Sequence, residues 1–533
     1  MEKQCAVENI LVQTMIENEK GVKSKPQEVY LTLNEAIDQI IPRVNFKLVF
    51  LLLSAISTAF NSAIVTSNTA LTGHIPYDSW QCVSDLCHSL FHNASSAGLE
   101  KDFFSQTTLC DNGLVAGTDF KWTSRKSTFT TDWNIYCKDE VKLSAISSVF
   151  FAGALAGLLC STAVFDRLGR KRGAMFGGMI ATLATAACSV VPNYQTLLAL
   201  RIVSGFGLFI NYTGSYCWII EFAPTHFRNL ANGLFGIAWI VSDLMMVLLG
   251  YLIDKWQHLY MALTGVCIFS LAMFFITPLR ESPRFHLVRG MESEAKRTLV
   301  SLSKISGFRL NSDTLRLIYE ERAQEYWVQI KDFKKSPTLP KRSLLSMTGW
   351  FLVSVVAFAY MFGWGKIGSD IYSSYLFGTI GGAIGTFLAI PVCRILGRKR
   401  ATIFFFVTVV AMNGLAMLDV DLSDSWNIEH VASLLGNVGI LGAFPMIYLY
   451  TSELAPTTHR GMVMCLCSSS ARVGSFIGPY VSLLYGVTDR RVPLALFAGL
   501  SVCVCVVVML LPDTTGKSIP ETPKEVELEH SQR

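Results

Sequence analysis

About twelve stretches of this chain are apolar over roughly 18 to 26 residues, long enough to cross about 30 Å of hydrocarbon as helix. They run Phe46 to Ala70, Leu143 to Phe165, Ala174 to Val191, Gln195 to Ile220, Leu230 to Tyr251 and His258 to Pro278, then Ser343 to Gly363, Ile371 to Cys393, Ala401 to Asp419, Glu429 to Thr451, Gly461 to Gly486 and Val492 to Leu511. A backbone in lipid has to satisfy its own polar groups, so these spans fold as helices and the chain is expected to be an all-α membrane protein. Of 533 residues, 51% are hydrophobic and 16% charged, which excludes a soluble protein of this length.

Two passages occur twice. Asp166-Arg167-Leu168-Gly169-Arg170-Lys171-Arg172 returns as Arg394-Ile395-Leu396-Gly397-Arg398-Lys399-Arg400, and Glu221-Phe222-Ala223-Pro224-Thr225-His226-Phe227-Arg228 returns as Glu453-Leu454-Ala455-Pro456-Thr457-Thr458-His459-Arg460. A period of roughly 230 residues makes each half a copy of one large unit, and duplicated membrane halves enclose a pathway between them. The expected layout is a segment 1–45, a six-helix bundle 46–279 with a loop 71–142, a linker 280–342 with short helices, a second six-helix bundle 343–511 and a tail 512–533. The Arg167 to Arg172 and Arg394 to Arg400 clusters, Arg228, Arg460 and the basic segment Arg280 to Arg342 share one side, which the positive-inside rule makes cytoplasmic together with both termini.

The loop is then extracellular. It carries Cys82, Cys87, Cys110 and Cys137, which admit three pairings, and the glycosylation sequon Asn93-Ala94-Ser95. The chain opens on a polar segment with Lys3, Glu8, Glu17 and Lys20, not a cleavable signal, so the first span is read as its own insertion signal. Gly516-Lys517-Ser518 imitates a phosphate loop, but Leu511 stands where its first glycine belongs. Cys465, Cys467, Cys503 and Cys505 have no histidine at ligand spacing, so neither a metal site nor nucleotide hydrolysis is expected. No cofactor is implied; sodium, protons or a counter-substrate remain candidate coupling partners.

The Asp-Arg-x-Gly-Arg-Lys element resembles the signature of the major facilitator superfamily. Within it, the loop ending Ser127-Thr128-Phe129-Thr130-Thr131-Asp132-Trp133-Asn134-Ile135-Tyr136-Cys137, the element Glu281-Ser282-Pro283-Arg284 and Glu453-x-x-Pro456-Thr457 are similar to the organic cation, organic anion and carnitine transporter family. The resemblance runs from about Val44 to Pro520 and implies two bundles in alternating access. Thr162 and Cys393 depart from the two signature copies, at a usual glycine and at the place of the aspartate. Arginines at a helix end can bond carboxylates and terminal carbonyls of a neighbouring helix. Asp166, Arg167, Gly169, Arg170, Glu221, Arg228, Glu281 and Arg284 are therefore expected to form one cytoplasmic gate, with Gly397, Arg398, Glu453 and Arg460 as the second. The alternative is that these charges only fix topology.

Arg472 lies near the middle of the eleventh span, where an arginine costs about 2.5–3.5 kcal/mol, so it is expected to face a wet chamber or an acid such as Asp243. The resemblance places it where anion and carnitine transporters carry arginine and cation transporters aspartate. Thr386 holds the place of a lysine common in the anion branch, while Asn211-Tyr212 resembles the carnitine branch. Asp243 stands one turn from Trp239, a pair suited to an ammonium group or a coupling proton, or else a carboxyl bonded within the bundle. Tyr360 and Trp364, Phe444 and Tyr448, and Arg472 and Phe476 recur at four-residue spacing, as chamber walls or as ordinary packing. The expected function is transport of small organic ions, carboxylate-bearing anions or zwitterions, across the plasma membrane. An organic cation carrier and a non-transporting receptor or scaffold are the alternatives. Membrane lipids are the expected surroundings, nucleic acid is not a partner, and a monomer suffices.

Overall fold

The computed structural model describes residues 29–41, 57–58, 61, 65, 80–96, 110, 112–224, 227–306, 315–318, 332–363, 371–418, 421–423, 426–456, 458–489, 491–516, 520, 523 and 525–527. For 29–32, 91–96, 228–230, 232, 315–318, 421–423, 426–430, 433 and 486–487 it describes the backbone alone.

Eleven long helices stand among the described residues. They are α1 (Glu140–Leu168), α2 (Arg170–Cys188), α3 (Tyr194–Phe222), α4 (Arg228–Leu252), α5 (Trp256–Ile276), α6 (Leu339–Gly363), α7 (Ile371–Leu396), α8 (Arg398–Ala416), α9 (Ile428–Leu454), α10 (Arg460–Val481) and α11 (Arg491–Leu510). They correspond to the second to twelfth expected spans. The first, Phe46 to Ala70, lies outside the described residues apart from Ser57, Thr58, Asn61 and Val65. Among the described residues, nine of the eleven contain a stretch apolar enough to cross a membrane. The other two are α2, which opens on Arg170-Lys171-Arg172, and α10, which carries Arg460, Arg472 and the serine run Ser468-Ser469-Ser470.

The helices pack in two sets. In the first, α3 lies against α1 and α2, and α2 against α5; in the second, α10 lies against α6, α9 against α7 and α8, and α11 against α6 and α8. The repeat extends to how the helices cross. Gly153 on α1 brings the chain so close to α3 that an added Cβ would stand 2.0 Å from the Ile202 carbonyl oxygen, and Gly381 on α7 does the same with Leu434 on α9 at 2.1 Å. A side chain there has to displace backbone, which cannot yield as a flexible side chain does. Gly381→Leu is expected to cost about 3 kcal/mol or more of stability. A thermal unfolding midpoint in detergent equal to that of the parent would contradict this close crossing.

The two sets meet where α1 touches α10 and α4 touches α7. Ser144 and Ser148 on α1 donate to the carbonyl oxygens of Pro479 (2.8 Å) and Phe476 (2.7 Å) on α10. These bonds lie toward the end of the molecule that carries the disulfide loop. There the strand β1 (Trp80–Cys82) pairs antiparallel with β2 (Phe120–Trp122). Of the three possible pairings, the loop holds Cys82 with Cys87 and Cys110 with Cys137. Asn93 falls on the helix Asp85–Ser96, in the part described as backbone alone.

The linker forms the short helices Pro283–Val288 and Glu292–Ser306, the second burying Leu299 and Leu302 against the N-terminal helix Leu33–Ile40. The tail, although Pro512 and Pro520 keep it from continuing as helix, is bonded down over its first residues. The Tyr450 hydroxyl donates to the Pro512 carbonyl at 2.6 Å, and Thr514 and Thr515 bond to the ends of α9 and α8.

Candidate substrate site and helix-end clasps

At the basic end, each set carries a clasp built from the repeated motifs. Arg170 at the start of α2 pairs with Glu221 near the end of α3 at 3.2 Å, and Arg398 at the start of α8 pairs with Glu453 on α9 at 3.0 Å. Lys171 donates to the carbonyls of Thr277 (2.9 Å) and Leu279 (2.7 Å), just past α5. Lys399 does so to Met509 and Leu511, both at 2.7 Å, at the end of α11. A lysine on the last carbonyls of a helix satisfies acceptors left without intrahelical partners and complements the helix dipole.

The two clasps differ in what caps the helix start. The buried Glu281 carboxylate accepts from the backbone N–H groups of Arg170 (2.8 Å), Lys171 (2.9 Å) and Arg172 (3.3 Å), and of its neighbour Ser282 (3.1 Å). In the second clasp the Thr515 hydroxyl accepts one bond, from Arg398 N–H at 3.3 Å, while Thr514 donates to Glu453 at 2.7 Å. Gly169 (φ +92°) and Gly397 (φ +78°) turn the chain between helices where a Cβ would fall 2.3 Å from the Glu281 carboxylate and 2.5 Å from the Thr515 hydroxyl. Burial holds the His286 imidazole below its ordinary value, against the pull of Glu281 and Glu294.

Not every expected gate residue joins. The Asp166 side chain is exposed, and it is the carbonyl of Asp166 that accepts, from Arg289; the Arg167 carbonyl also accepts from Arg289, at 3.1 Å. Arg284 donates to Asn34 at 3.2 Å. Two buried nitrogens of Arg460 have no hydrogen-bond partner among the described residues, although the Glu453 charge lies within reach. The Arg228 side chain lies outside the description.

Deeper in, the half-buried Arg472 of α10 sets its guanidinium over the Phe209 ring of α3, 4.4 Å from the centroid. The Tyr212 and Tyr448 hydroxyls are within its electrostatic reach. Its Nε is buried without a hydrogen-bond partner, and no carboxylate pairs with it among the described residues. Aromatic rings continue from it on both sides. Tyr212 meets Trp239 (6.4 Å) and Phe235 (6.1 Å), and Tyr448 meets Phe444 (5.9 Å) and Trp350 (4.3 Å). A guanidinium in such a setting can hold a carboxylate through two parallel bonds while the rings receive an organic body.

A family model described as Major Facilitator Superfamily matches the chain over residues 127–479 and 343–530. The chain belongs to the Major Facilitator Superfamily. Among curated relatives it is similar to Solute carrier family 22 member 2 of Rattus norvegicus, 26% identical over 423 residues, covering 78% of this chain and 74% of that one. It is likewise similar to Organic cation/carnitine transporter 2 of Homo sapiens, 26% identical over 415 residues, covering 76% and 73%. Among solved structures, the inward open conformation of the xylose transporter XylE from E. coli matches with a TM-score of 0.58 at 14% identity, covering 90% of this chain and 99% of that one. The protein is a transporter of that superfamily, and not an enzyme.

Of the expected substrate residues, Arg472, Tyr212, Trp239, Phe444 and Tyr448 come together in this superfamily fold. Asn211 does not: its amide donates to the Ala174 carbonyl of α2 at 2.9 Å. Tyr360 is buried within its own set, donating to the Ala432 carbonyl at 3.3 Å. Phe476 packs on Tyr480 at 6.1 Å, one turn beyond Arg472. Asp243 is half-buried and engaged by contacts of its own, and Trp364 lies outside the described residues. The residues missed are Phe209, Phe235 and Trp350 at the site, and Lys171, Lys399, Thr514 and Thr515 in the clasps. A signal was present for some: Phe235 stands four residues before Trp239, and the lysine recurs in both motif copies.

Proposed function

We propose that this transporter moves small organic ions that bear a carboxylate, as anions or as carnitine-like zwitterions, across the plasma membrane by alternating access. The supporting observation is Arg472, a guanidinium on a membrane helix with aromatic rings around it and no carboxylate partner among the described residues. A charge at such depth is costly, and a substrate carboxylate offsets that cost. In this reading the organic body lies against Tyr212, Phe444 and Tyr448, and Asp243 with Trp239 receives an ammonium group or carries a coupling proton. Sodium or a counter-substrate are the other coupling partners. The disulfide-bonded loop supports an extracellular placement for its end of the molecule, which leaves the clasps and both termini cytoplasmic.

A cation carrier is the second reading, favoured by Asp243 beside Trp239 and by the word cation in the name of one relative. Competition for uptake into proteoliposomes separates the two. Carboxylates and carnitine are expected to inhibit uptake of a labelled carboxylate at least about 10-fold more strongly than tetraethylammonium, which cannot form the paired bonds with Arg472. The opposite order would overturn the carboxylate reading.

A further inference from the structure

The loop ends in a strap, residues 124–133, fixed to the hairpin between α4 and α5. Ser127 N–H donates to the Asp254 carbonyl at 2.8 Å, and Trp256 N–H returns to the Ser127 carbonyl at 3.2 Å. The Asp132 carboxylate accepts from Trp256 Nε1 (2.9 Å) and Gln257 Nε2 (3.1 Å). The strap therefore travels with the first helix set. Lys126, within it, points the other way. Its ammonium donates to the carbonyls of Gly250 (2.7 Å) and Tyr251 (2.8 Å) at the end of α4, and also to the Tyr372 hydroxyl (3.1 Å) in the first turn of α7, which belongs to the second set. The same ammonium stands 4.2 Å from the Tyr372 ring centroid and 5.3 Å from that of Tyr251.

We propose that Lys126 is a latch that holds the loop end of the transport pathway shut by joining the strap and α4 to Tyr372 across the junction of the two helix sets. In alternating access the sets part at one end while they meet at the other. When the loop end opens, the bonds of the strap to α4 and α5 lie within one set and persist. The contact with Tyr372 spans both sets and has to break. A hydrogen bond from a cation together with its attraction to an aromatic face biases the equilibrium toward closure. The inference rests on the transport mechanism but not on the carboxylate reading, because its test contains no substrate.

The reporter is Ser144→Cys, placed where Ser144 is buried against Pro479 in the closed junction. Its labelling by a membrane-impermeant maleimide is followed on intact cells, corrected for surface expression and for the same variants without the reporter cysteine. Lys126→Met and Tyr372→Ala are each expected to speed labelling about threefold to tenfold, and Lys126→Arg to stay near the parent rate. Unchanged labelling in Lys126→Met at normal surface level would overturn the latch. So would faster labelling in Lys126→Met but not in Tyr372→Ala, since the lysine would then act only on the end of α4. If Lys126→Met does not reach the surface, Tyr372→Ala decides alone.

Discussion

Replacing Arg472 with leucine will lower uptake of carboxylate substrates by about 10-fold to 150-fold, as the loss of a charge-assisted pair of hydrogen bonds, about 1.5–3 kcal/mol, predicts. The effect should fall mainly on KM, because the bond is made to the bound ground state, and kcat should change less. The same substitution should leave the substrate-free protein as stable as before or more so. No carboxylate pairs with Arg472 among the described residues, so removing its charge strands no partner and relieves the cost of holding a cation in the membrane. Uptake kinetics and thermal unfolding measured on one preparation distinguish this from a structural arginine, whose removal would lower both together. Retained uptake would refute the anchor.

Removing the Glu281 side chain is expected to destabilise the protein by about 2–4 kcal/mol, because three backbone N–H groups at the start of α2 and that of Ser282 lose a buried anionic acceptor. Thr515→Ala at the corresponding place in the second clasp should cost only about 1 kcal/mol, since a neutral and exposed hydroxyl there accepts a single bond. Glu281→Gln should fall between Glu281→Ala and the parent, keeping an acceptor without its charge. Thermal midpoints of the three variants test the order. Equal losses for Glu281→Ala and Thr515→Ala would mean that the two clasps share one capping strength, contrary to their geometry.

Hydropathy placed the helices well because a membrane demands long apolar runs, and it fails where a helix faces protein or water. The apolar signal is weakest in α2, which opens on three basic residues, and in α10, the helix that carries Arg472. The repeated motifs pointed to both clasps and to their arginine–carboxylate pairs, but not to what caps the helix starts. That Glu281 caps α2 depends on where the chain turns after α5, and the Thr515 hydroxyl that answers it lies in a tail whose prolines suggest no fixed contact. Four-residue spacing identified shared faces without saying which neighbour each face meets. Phe444 and Tyr448 reached the surroundings of Arg472, whereas Tyr360 turned into the packing of its own set. Asn211 and Tyr212 are adjacent, so a helical turn of about 100° per residue sends one to α2 and the other toward Arg472.

The bonds of the first clasp run among α2, α3 and the chain just past α5, and those of the second among α8, α9 and the chain end beyond α11. A polypeptide cut just after Ser306 would keep all of them, each fragment arriving with its own fastening complete. Reassembly of the two pieces would then depend on what joins one fragment to the other, chiefly the side-by-side fit of α1 with α10 and α4 with α7 and the parallel pairing of Val29–Thr32 with Leu315–Ile318, without help from peptide continuity.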